Sequence, residues 1–545
     1  MRHRRDRSDG RAIIVSIVAS TLISILGCTG TPAQRPAPTF TITTDAEHAY
    51  QEIEGFGASG SWSIDPIGKH WSLENRERVA RLLFSVDDGI GLSVWKFNAG
   101  ATGTTTHDAF FDSPYAWRKA DSFRPSEEPG YDWTAHAGQR WFLDAARRFD
   151  VEAFHLIVYS PPGWMTKNGL THPDADSGTT NLDPTRLADF VGYIADIAVF
   201  LETNHVGTIA DIVPLNEPNW AWNDSIQEAN RYAVADIKAV VMALGAELDA
   251  RGVSSRIVTP EAGEIMALLD DERFREYWFG VQRRYNAQNL ELTTGGKYRE
   301  YAKEILGNPE LQPYVRNAIS AHSYWSDYTR TADDRLVRLR RIVRENLDAY
   351  APDATYLQTE YCILGDRGPG RDLSMKSAIS VAEVIHRDLT ILNAAEWSWW
   401  LAVSPHDYKD GLLYTDWERP GDPEEIHTSK IFWTLGQYSR FVRPGFVRIH
   451  AGVESNDGRV ASISAASNSL LVSAYVDPDR GQRVIVVTNL DRAPVTVVLP
   501  GHTPYSAHRT SWTESLAFIG TVDPGRALEL PPESVTTFVS RPFAR

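Results

Sequence analysis

Short apolar runs alternate with longer amphipathic stretches over most of the chain. Eight runs are β-prone and of strand length, at residues 53–59, 91–97, 153–159, 210–215, 256–260, 317–322, 355–359 and 394–400. The stretches between them have helical length, most clearly at 186–201 and 229–248. Eight strand–helix units predict an α/β fold of the (β/α)8 TIM-barrel class. Strands of such a barrel are buried on both faces, which explains apolar runs without alternation.

The pattern changes after about residue 440. Short β-prone runs lie at residues 447–449, 460–463, 470–475, 483–489, 494–499, 527–530 and 534–539, with Gly, Asn, Asp and Pro between them. They predict an antiparallel β-sandwich at 441–545, beside a catalytic barrel at 41–440. A strand at residues 41–50 precedes the barrel, and two placements stay open for it: the barrel or the sandwich.

The first 28 residues have the organisation of a bacterial export signal. Five Arg residues precede an uncharged apolar run at 12–26, which is too short to predict a membrane span. Residues 25–28 then resemble a lipobox, whose Cys is lipidated after cleavage. We therefore expect an exported lipoprotein anchored at the cell surface through Cys28, with a tether at residues 29–40. Plain secretion and an uncleaved anchor are the alternatives.

Charge and cysteine content restrict the partners. The 545 residues carry a formal net charge of −16, which disfavours nucleic acid and leaves a neutral polymer acceptable. Cys28 and Cys362 are the two cysteines, so a Cys-based zinc site is excluded. Nucleotide and phosphate-loop motifs are absent from the sequence, and we expect no cofactor and no metal. We expect a monomer whose membrane contact is limited to the lipid anchor.

Two carboxylates directly follow predicted strands. Glu217 stands in Asn-Glu-Pro after the fourth run, and Glu360 stands in Thr-Glu-Tyr after the seventh. Active sites of TIM barrels lie at the carboxyl ends of the strands, so both side chains are expected at the mouth. Two carboxyls about 5–5.5 Å apart cleave a glycosidic bond with retention. We predict that Glu217 and Glu360 are the two catalytic carboxylates, one a proton donor and the other a nucleophile, with an ion-paired structural Glu as the alternative. Rival carboxylates near strand ends lack these flanking motifs: Glu261, Glu264 and Glu396.

Aromatic residues near the strand ends are candidates for stacking on sugar rings. Trp164 follows a rigid Ser-Pro-Pro-Gly turn, and Trp220 and Trp222 follow Glu217 closely. In the eighth run we favour Trp399 over its neighbours. For each of these rings a place in the core is the alternative.

Polar residues beside the two carboxylates are further candidates. Asn216 can donate a hydrogen bond to a sugar hydroxyl. Tyr324 follows the sixth run and can hold the nucleophile ionised through its hydroxyl. His322, two residues earlier, is a site residue or a structural histidine.

These motifs resemble glycoside hydrolases of clan A, and four segments resemble family 30 in particular. The segments are residues 55–59, 97–100, 160–165 and 435–445. The resemblance covers roughly residues 45–545 and implies a barrel with a side β-domain. It also implies that Glu217, after strand four, is the acid/base and that Glu360, after strand seven, is the nucleophile. Residues 181–182, 214–222 and 227–230 are most similar to the endo-β-1,6-galactanase branch, which cleaves galactan side chains of arabinogalactan.

One position departs from the family pattern. The family usually has Arg before the Tyr-Asn of strand two, whereas this chain has Lys96, followed by Phe97 and Asn98. Lysine keeps the positive charge but lacks the planar fork of arginine. The resemblance assigns Lys96 and Asn98 to substrate placement.

The sequence thus predicts an exported, retaining glycoside hydrolase acting on a neutral, β-linked plant-type polysaccharide, with endo-β-1,6-galactanase as the first choice. β-1,6-Glucanase, xylanase and exo-β-glycosidase are the alternatives within the family. A non-catalytic glycan-binding lipoprotein and a metallohydrolase are the alternatives outside it. The β-domain is expected to pack against the barrel, and glycan binding is its alternative role.

Overall fold

The computed structural model describes residues 39–102, 118–223, 227–281, 297–327, 329–330, 333–455 and 469–541. The predicted export signal, Cys28 and the predicted strand at 460–463 lie outside these residues. Across the described ranges, no helix combines the length and the apolar character that crossing a membrane requires.

All eight predicted barrel runs contain strands. The first strand of the chain, β1 (Thr39–Glu52), precedes the barrel and starts inside the predicted tether. The barrel strands are β2 (Gly55–Ser59), β3 (Val94–Asn98), β4 (Ala153–Ile157), β5 (Asp211–Val213), β6 (Arg256–Ile257), β7 (Ala318–His322), β10 (Thr355–Glu360) and β11 (Ala394–Ser404), and a small hairpin of β8 (Thr329–Arg330) and β9 (Asp333–Asp334) follows β7.

The barrel strands pair in parallel and close into a ring. β2 to β6 pair in sequence, while β11 joins β2 to β10, and β10 joins β7. The seam between β6 and β7 is held by isolated bridges, Ile257 to Val315 and Ala262 to Ala321. Its backbone bonds include His322 N–H to Ala262 O at 2.8 Å. The (β/α)8 prediction is confirmed, and the β6–β7 seam is its least regular part.

The helices of the barrel lie between these strands. They are α1 (Ile64–His70), α2 (Leu73–Phe84), α3 (Ala137–Arg148), α4 (Leu187–Leu201), α5 (Val234–Arg251), α6 (Asp271–Val281), α7 (Arg340–Tyr350), α8 (Met375–Thr390) and α9 (Lys430–Ser439). α4 has nearly the predicted bounds, whereas α5 starts five residues later than predicted, at Val234. The Asp236 carboxylate accepts the backbone N–H of Ala233 at 3.0 Å, which caps the first turn of α5 at this point.

The remaining strands extend the barrel sheet or form the β-domain. β12 (Gly411–Tyr414) and β13 (His427–Thr428) continue the barrel sheet beyond β11. The β-domain consists of β1 and of β14 (Val447–Ser455), β15 (Leu470–Val476), β16 (Arg483–Asn489), β17 (Val495–Val498), β18 (Tyr505–Thr510), β19 (Ala517–Val522), β20 (Ala527–Leu530) and β21 (Ser534–Ser540).

One nine-stranded sheet makes up the β-domain, in the order β19-β18-β21-β16-β15-β14-β1-β17-β20. β1 lies between β14, which is antiparallel to it, and β17, which is parallel. Ile42, Val472, Val497 and Phe538 come from strands spread across this order and share one buried cluster, so the sheet curls over a common core. The sequence did not predict β18, whose apolar positions alternate with polar residues, or β19, which contains Gly520 and is mostly half-buried or exposed.

Buried hydrogen bonds attach the β-domain to the barrel. The Gln437 side-chain amide of α9 donates to Thr510 Oγ1 of β18 at 2.8 Å. Thr537 Oγ1 of β21 donates back to the Gln437 carbonyl at 2.7 Å. α9 thus fixes the β-domain to the barrel.

Candidate active site

Glu217 follows β5 at the mouth of the barrel. Its side chain is largely buried, and its backbone has φ +45°, in the left-handed region. Its backbone N–H donates to the Glu261 carbonyl at 2.9 Å. A non-glycine residue held in this region costs on the order of 1–3 kcal/mol, and such strain is typical of functional positions. The tight turn directs the carboxylate inwards.

Glu360 is the last residue of β10 and is also buried. Tyr324 donates its hydroxyl to Glu360 Oε1 at 2.6 Å. The second oxygen, Oε2, is buried with no hydrogen-bond partner among the described residues. One oxygen is therefore fixed in orientation, while the other keeps its lone pairs for an incoming atom.

The two carboxylates meet across His322. One side-chain oxygen of each glutamate and one ring nitrogen of His322 all lie within 4.8 Å of one another. Retaining glycosidases place their two carboxyls about 5–5.5 Å apart, and inverting enzymes place them about 6.5–9.5 Å apart. The separation of Glu217 and Glu360 falls on the retaining side.

The protonation of the pair follows from burial and from charge. Burial, together with the charge of the facing Glu217, raises the pKa of Glu360 to about 7 against the lowering effects of His322, Tyr324 and Lys96. Two carboxyls in such contact titrate as a unit. The pair therefore retains one shared proton until about pH 7.

His322 is fully buried at the centre of the site. Its Nδ1 lies 2.9 Å from Glu217 Oε1 and 3.6 Å from Glu360 Oε1, and its Nε2 lies 2.9 Å from Glu261 Oε2. Burial alone would lower the pKa of His322, but the three carboxylates overcome this effect and raise it to about 10. His322 is thus an imidazolium that donates from both ring nitrogens.

The same protonation bears on metal binding. Among the described residues, Glu217, His322 and Glu360 are the one group of three side chains whose ligand atoms are close enough for a shared ion. A histidine binds a metal through a deprotonated nitrogen. In this protonation state His322 pairs with the two carboxylates and offers no free nitrogen to an ion.

Two asparagines at the strand ends have unused polar atoms. Asn98, the last residue of β3, is buried, and both its Nδ2 and its Oδ1 lack partners among the described residues. The buried Oδ1 of Asn216 also lacks one. Buried polar groups normally have partners. Hydroxyl groups of a bound sugar are suited to satisfy these atoms.

The tryptophans predicted at the site have different surroundings. Trp220 lies half-buried with its ring 5.1 Å from that of Trp325. Trp222 is half-buried and donates its Nε1 to the Glu217 carbonyl at 3.1 Å. The ring of Trp164 is covered by the Arg124 guanidinium at 4.4 Å, and its Nε1 donates to the Arg124 carbonyl.

Two predicted substrate-binding residues lie below the surface of the site. Trp399 is fully buried and donates its Nε1 to the Asp410 carbonyl at 2.7 Å. Lys96 is also buried; its Nζ donates to the Thr359 carbonyl at 2.5 Å and lies 3.9 Å from Glu261 Oε2. Its charge therefore faces Glu261.

The structure brings two further residues to the site: Glu261, which the sequence ranked below the chosen pair, and Gly263, which it did not name. Glu261 contacts His322, and its Oε2 also accepts the Thr359 hydroxyl at 2.8 Å. A Cβ added at Gly263 would overlap the Trp220 indole and lie 3.1 Å from Glu217 Oε1. The position of Glu261 just after the fifth run was the available signal, but the run by itself does not reveal the charges that face it.

Comparisons with known proteins identify the family of this chain. The family model for O-glycosyl hydrolase family 30 matches residues 39–414, more than half of the chain. An endo-β-1,6-galactanase from Hypocrea rufa is 26% identical over 312 residues, which are 53% of this chain and 61% of that protein. The chain thus spans less than two thirds of that relative.

Solved structures show the same architecture. A conserved exported protein from Bacteroides fragilis is similar with a TM-score of 0.77 and 28% identity, covering 92% of this chain and 100% of that one. The catalytic domain of xylanase C from Talaromyces cellulolyticus shares the fold, with a TM-score of 0.63 and 18% identity over 92% of this chain and 100% of that domain.

Proposed function

The chain belongs to glycoside hydrolase family 30, and we propose that it hydrolyses a β-linked glycan with retention of anomeric configuration. The observation that carries the proposal is the pair Glu217 and Glu360, whose side-chain oxygens lie within 4.8 Å at the mouth of the barrel. Tyr324 holds one oxygen of Glu360 and leaves the other available.

In the first step Glu360 is the nucleophile. Its Oε2 forms a bond to the anomeric carbon while the glycosidic carbon–oxygen bond breaks. Glu217 gives its proton to the departing oxygen, which leaves as a hydroxyl group of the released chain. The glycan is then held as a covalent ester on Glu360.

The second step reverses the role of Glu217. It takes a proton from a water molecule, whose oxygen bonds to the anomeric carbon while the ester bond to Glu360 breaks. Two inversions give net retention. Glu360 is again a carboxylate and Glu217 is again protonated, so the pair regains its single shared proton.

We propose β-1,6-galactan as the substrate, cleaved within the chain. The support is the similarity to the Hypocrea rufa galactanase and the three galactanase-like segments of the sequence. The net charge of −16 favours a neutral polymer. The barrel itself does not select the sugar, because one fold hosts many specificities.

A polysaccharide panel tests the substrate and the stereochemistry together. The purified protein is incubated with β-1,6-galactan, de-arabinosylated arabinogalactan, β-1,6-glucan and xylan, and NMR follows the anomer of the first product. We expect β-configured oligosaccharides from galactan and an inactive Glu360→Ala control. An α-configured first product would refute retention. Turnover of glucan or xylan alone would replace galactan as the substrate, and release of single sugars alone would show exo action.

We propose that the chain is exported, anchored through a lipid on Cys28, and monomeric. The support is the basic, apolar and lipobox order of the first 28 residues, and a site built from residues of one chain. Detergent phase partitioning of the full chain and of Cys28→Ser, expressed in a bacterial host, tests the anchor. Equal partitioning of the two would refute it. Light scattering of the purified chain tests the monomer.

A further inference from the structure

We propose that Glu261 is a positioning residue which, through His322, fixes the orientation and the charge environment of the acid/base carboxylate Glu217. The inference rests on the proposed function, because it assigns Glu261 a part in the same reaction. Glu261 lies on the opposite side of the His322 ring from the two catalytic carboxylates, and it acts on Glu217 through that ring.

The contacts form an unbroken chain. Glu261 Oε2 accepts from His322 Nε2 at 2.9 Å, and His322 Nδ1 faces Glu217 Oε1 at 2.9 Å. The backbone adds a second link, since Glu217 N–H donates to the Glu261 carbonyl at 2.9 Å. Glu261 shares the left-handed backbone conformation of Glu217, with φ +53°. The two residues are therefore held by both main chain and side chain.

Glu261 keeps its negative charge although it is fully buried. Burial would raise its pKa, but Lys96, His322 and the Thr359 hydroxyl overcome this and lower it to about 2. A buried charge without such partners would neutralise. Lys96, which stands where the family usually has arginine, is one of these partners. Its Nζ lies 3.9 Å from Glu261 Oε2.

Further charged and titratable groups surround His322 and Glu261. His322 faces Glu217, Glu261, Glu360 and the Tyr324 ring. Glu261 also lies near further groups in the interior of the barrel: Lys96 of β3, His155 of β4, Tyr159, Tyr356 of β10 and Glu396 of β11.

The arrangement has a consequence for proton donation. Because His322 donates from Nδ1 to Glu217 Oε1, the transferable proton of Glu217 is left to Oε2. The imidazolium also stabilises the carboxylate that forms when Glu217 gives up this proton. Without the charge of Glu261, His322 would face two carboxylates that share a proton and would more readily become neutral.

The charge of His322 can be measured directly. Protein labelled with ¹⁵N-histidine is titrated by NMR, and the His322 signal is assigned by its loss in His322→Gln. We expect wild-type His322 to show two protonated ring nitrogens from about pH 5 to about pH 8. In Glu261→Gln its midpoint should fall by about 1–3 units, the effect of removing an opposite charge in contact. An unchanged midpoint, or a wild-type His322 that loses its proton below about pH 8, overturns the proposal.

Thr359→Val is the matched control, because it removes a hydrogen bond to Glu261 Oε2 and retains the carboxylate. His322 should stay protonated in this variant. A shift as large as that of Glu261→Gln would assign the effect to packing and would overturn the proposal. If Glu261→Gln does not fold, the titration of wild-type His322 still tests the proposal, because loss of its proton below about pH 8 overturns it.

Activity gives the second readout. We expect Glu261→Gln to lower kcat/KM for the glycan at least about tenfold more than for a nitrophenyl glycoside, whose good leaving group needs little proton donation. Its pH profile should shift, and Glu261→Asp should recover part of the loss. Equal losses on both substrates would overturn the role. If the wild-type chain cleaves no glycan, the proposed function fails, while the His322 spectrum still reports on the link to Glu261.

Discussion

A methyl group added at Gly263 would overlap atoms that already occupy the site. The Cβ of an alanine there would overlap Nε1 and Cδ1 of Trp220 and would lie 3.1 Å from Glu217 Oε1. Gly263 also holds the loop through its backbone N–H, which donates to Asn219 Oδ1 at 2.9 Å. Because its φ lies outside the left-handed region, steric overlap is the main effect of Gly263→Ala.

The size of the effect follows from this overlap. Overpacking a buried position costs about 1–3 kcal/mol of stability. The larger effect should be on catalysis, because relief of the overlap requires the Trp220 ring to move by about the width of the methyl group, next to Glu217. A displacement of about 1 Å in an active site can cost about 10²-fold in rate. We therefore expect kcat/KM of Gly263→Ala on the glycan to fall about 100-fold.

The assay compares Gly263→Ala with wild type in kcat/KM and in thermal unfolding. Gly192→Ala is the matched control, since its added Cβ would meet only Arg251 Nη2, at 3.7 Å, on the helix α4. It should retain activity and gain up to about 1 kcal/mol from helix propensity. Wild-type activity and stability in Gly263→Ala would show that Trp220 yields without cost, and would refute the reasoning.

Three further outcomes are expected. Glu360→Ala should abolish turnover. Added azide should restore part of the activity, because it enters the space of the carboxylate and gives a glycosyl azide of inverted configuration. Product formation by Glu360→Ala without azide at the wild-type rate would contradict the assignment. The kcat/KM profile should decline as pH rises through about 7, because the pair then loses its shared proton, and a profile flat from pH 6 to pH 9 would contradict this origin. Burial raises the pKa of Glu396 to about 7 from an ordinary 4.5, so its contribution to stability is complete below about pH 4.5 and is lost as pH rises through about 7. Unfolding free energies at pH 5 and pH 8 should therefore differ by up to about 3 kcal/mol more in wild type than in Glu396→Gln.

The sequence predicts the barrel well because its strands are buried on both faces and leave uninterrupted apolar runs. It predicts the positions of Glu217 and Glu360 because each directly follows such a run. It predicts Trp399 at the site, and the structure buries this ring fully, since alternation along a strand gives the two faces but not which of them a layer of packed residues covers. Glu261 was ranked low for a related reason: its importance depends on Lys96 and His322, which are 165 and 61 residues away in the chain.

The weakly paired seam between β6 and β7 has a consequence for engineering. Glu261 follows β6 and His322 ends β7, so the ion pair between them joins the two sides where ladder hydrogen bonds are few. The groups that prepare the reaction therefore also help to close the ring. Replacing them with apolar residues to make the chain more heat-resistant would remove the acid/base support at the same time. Stabilising changes are better placed on the outer helices, which take part neither in closing the ring nor in supporting the acid/base carboxylate.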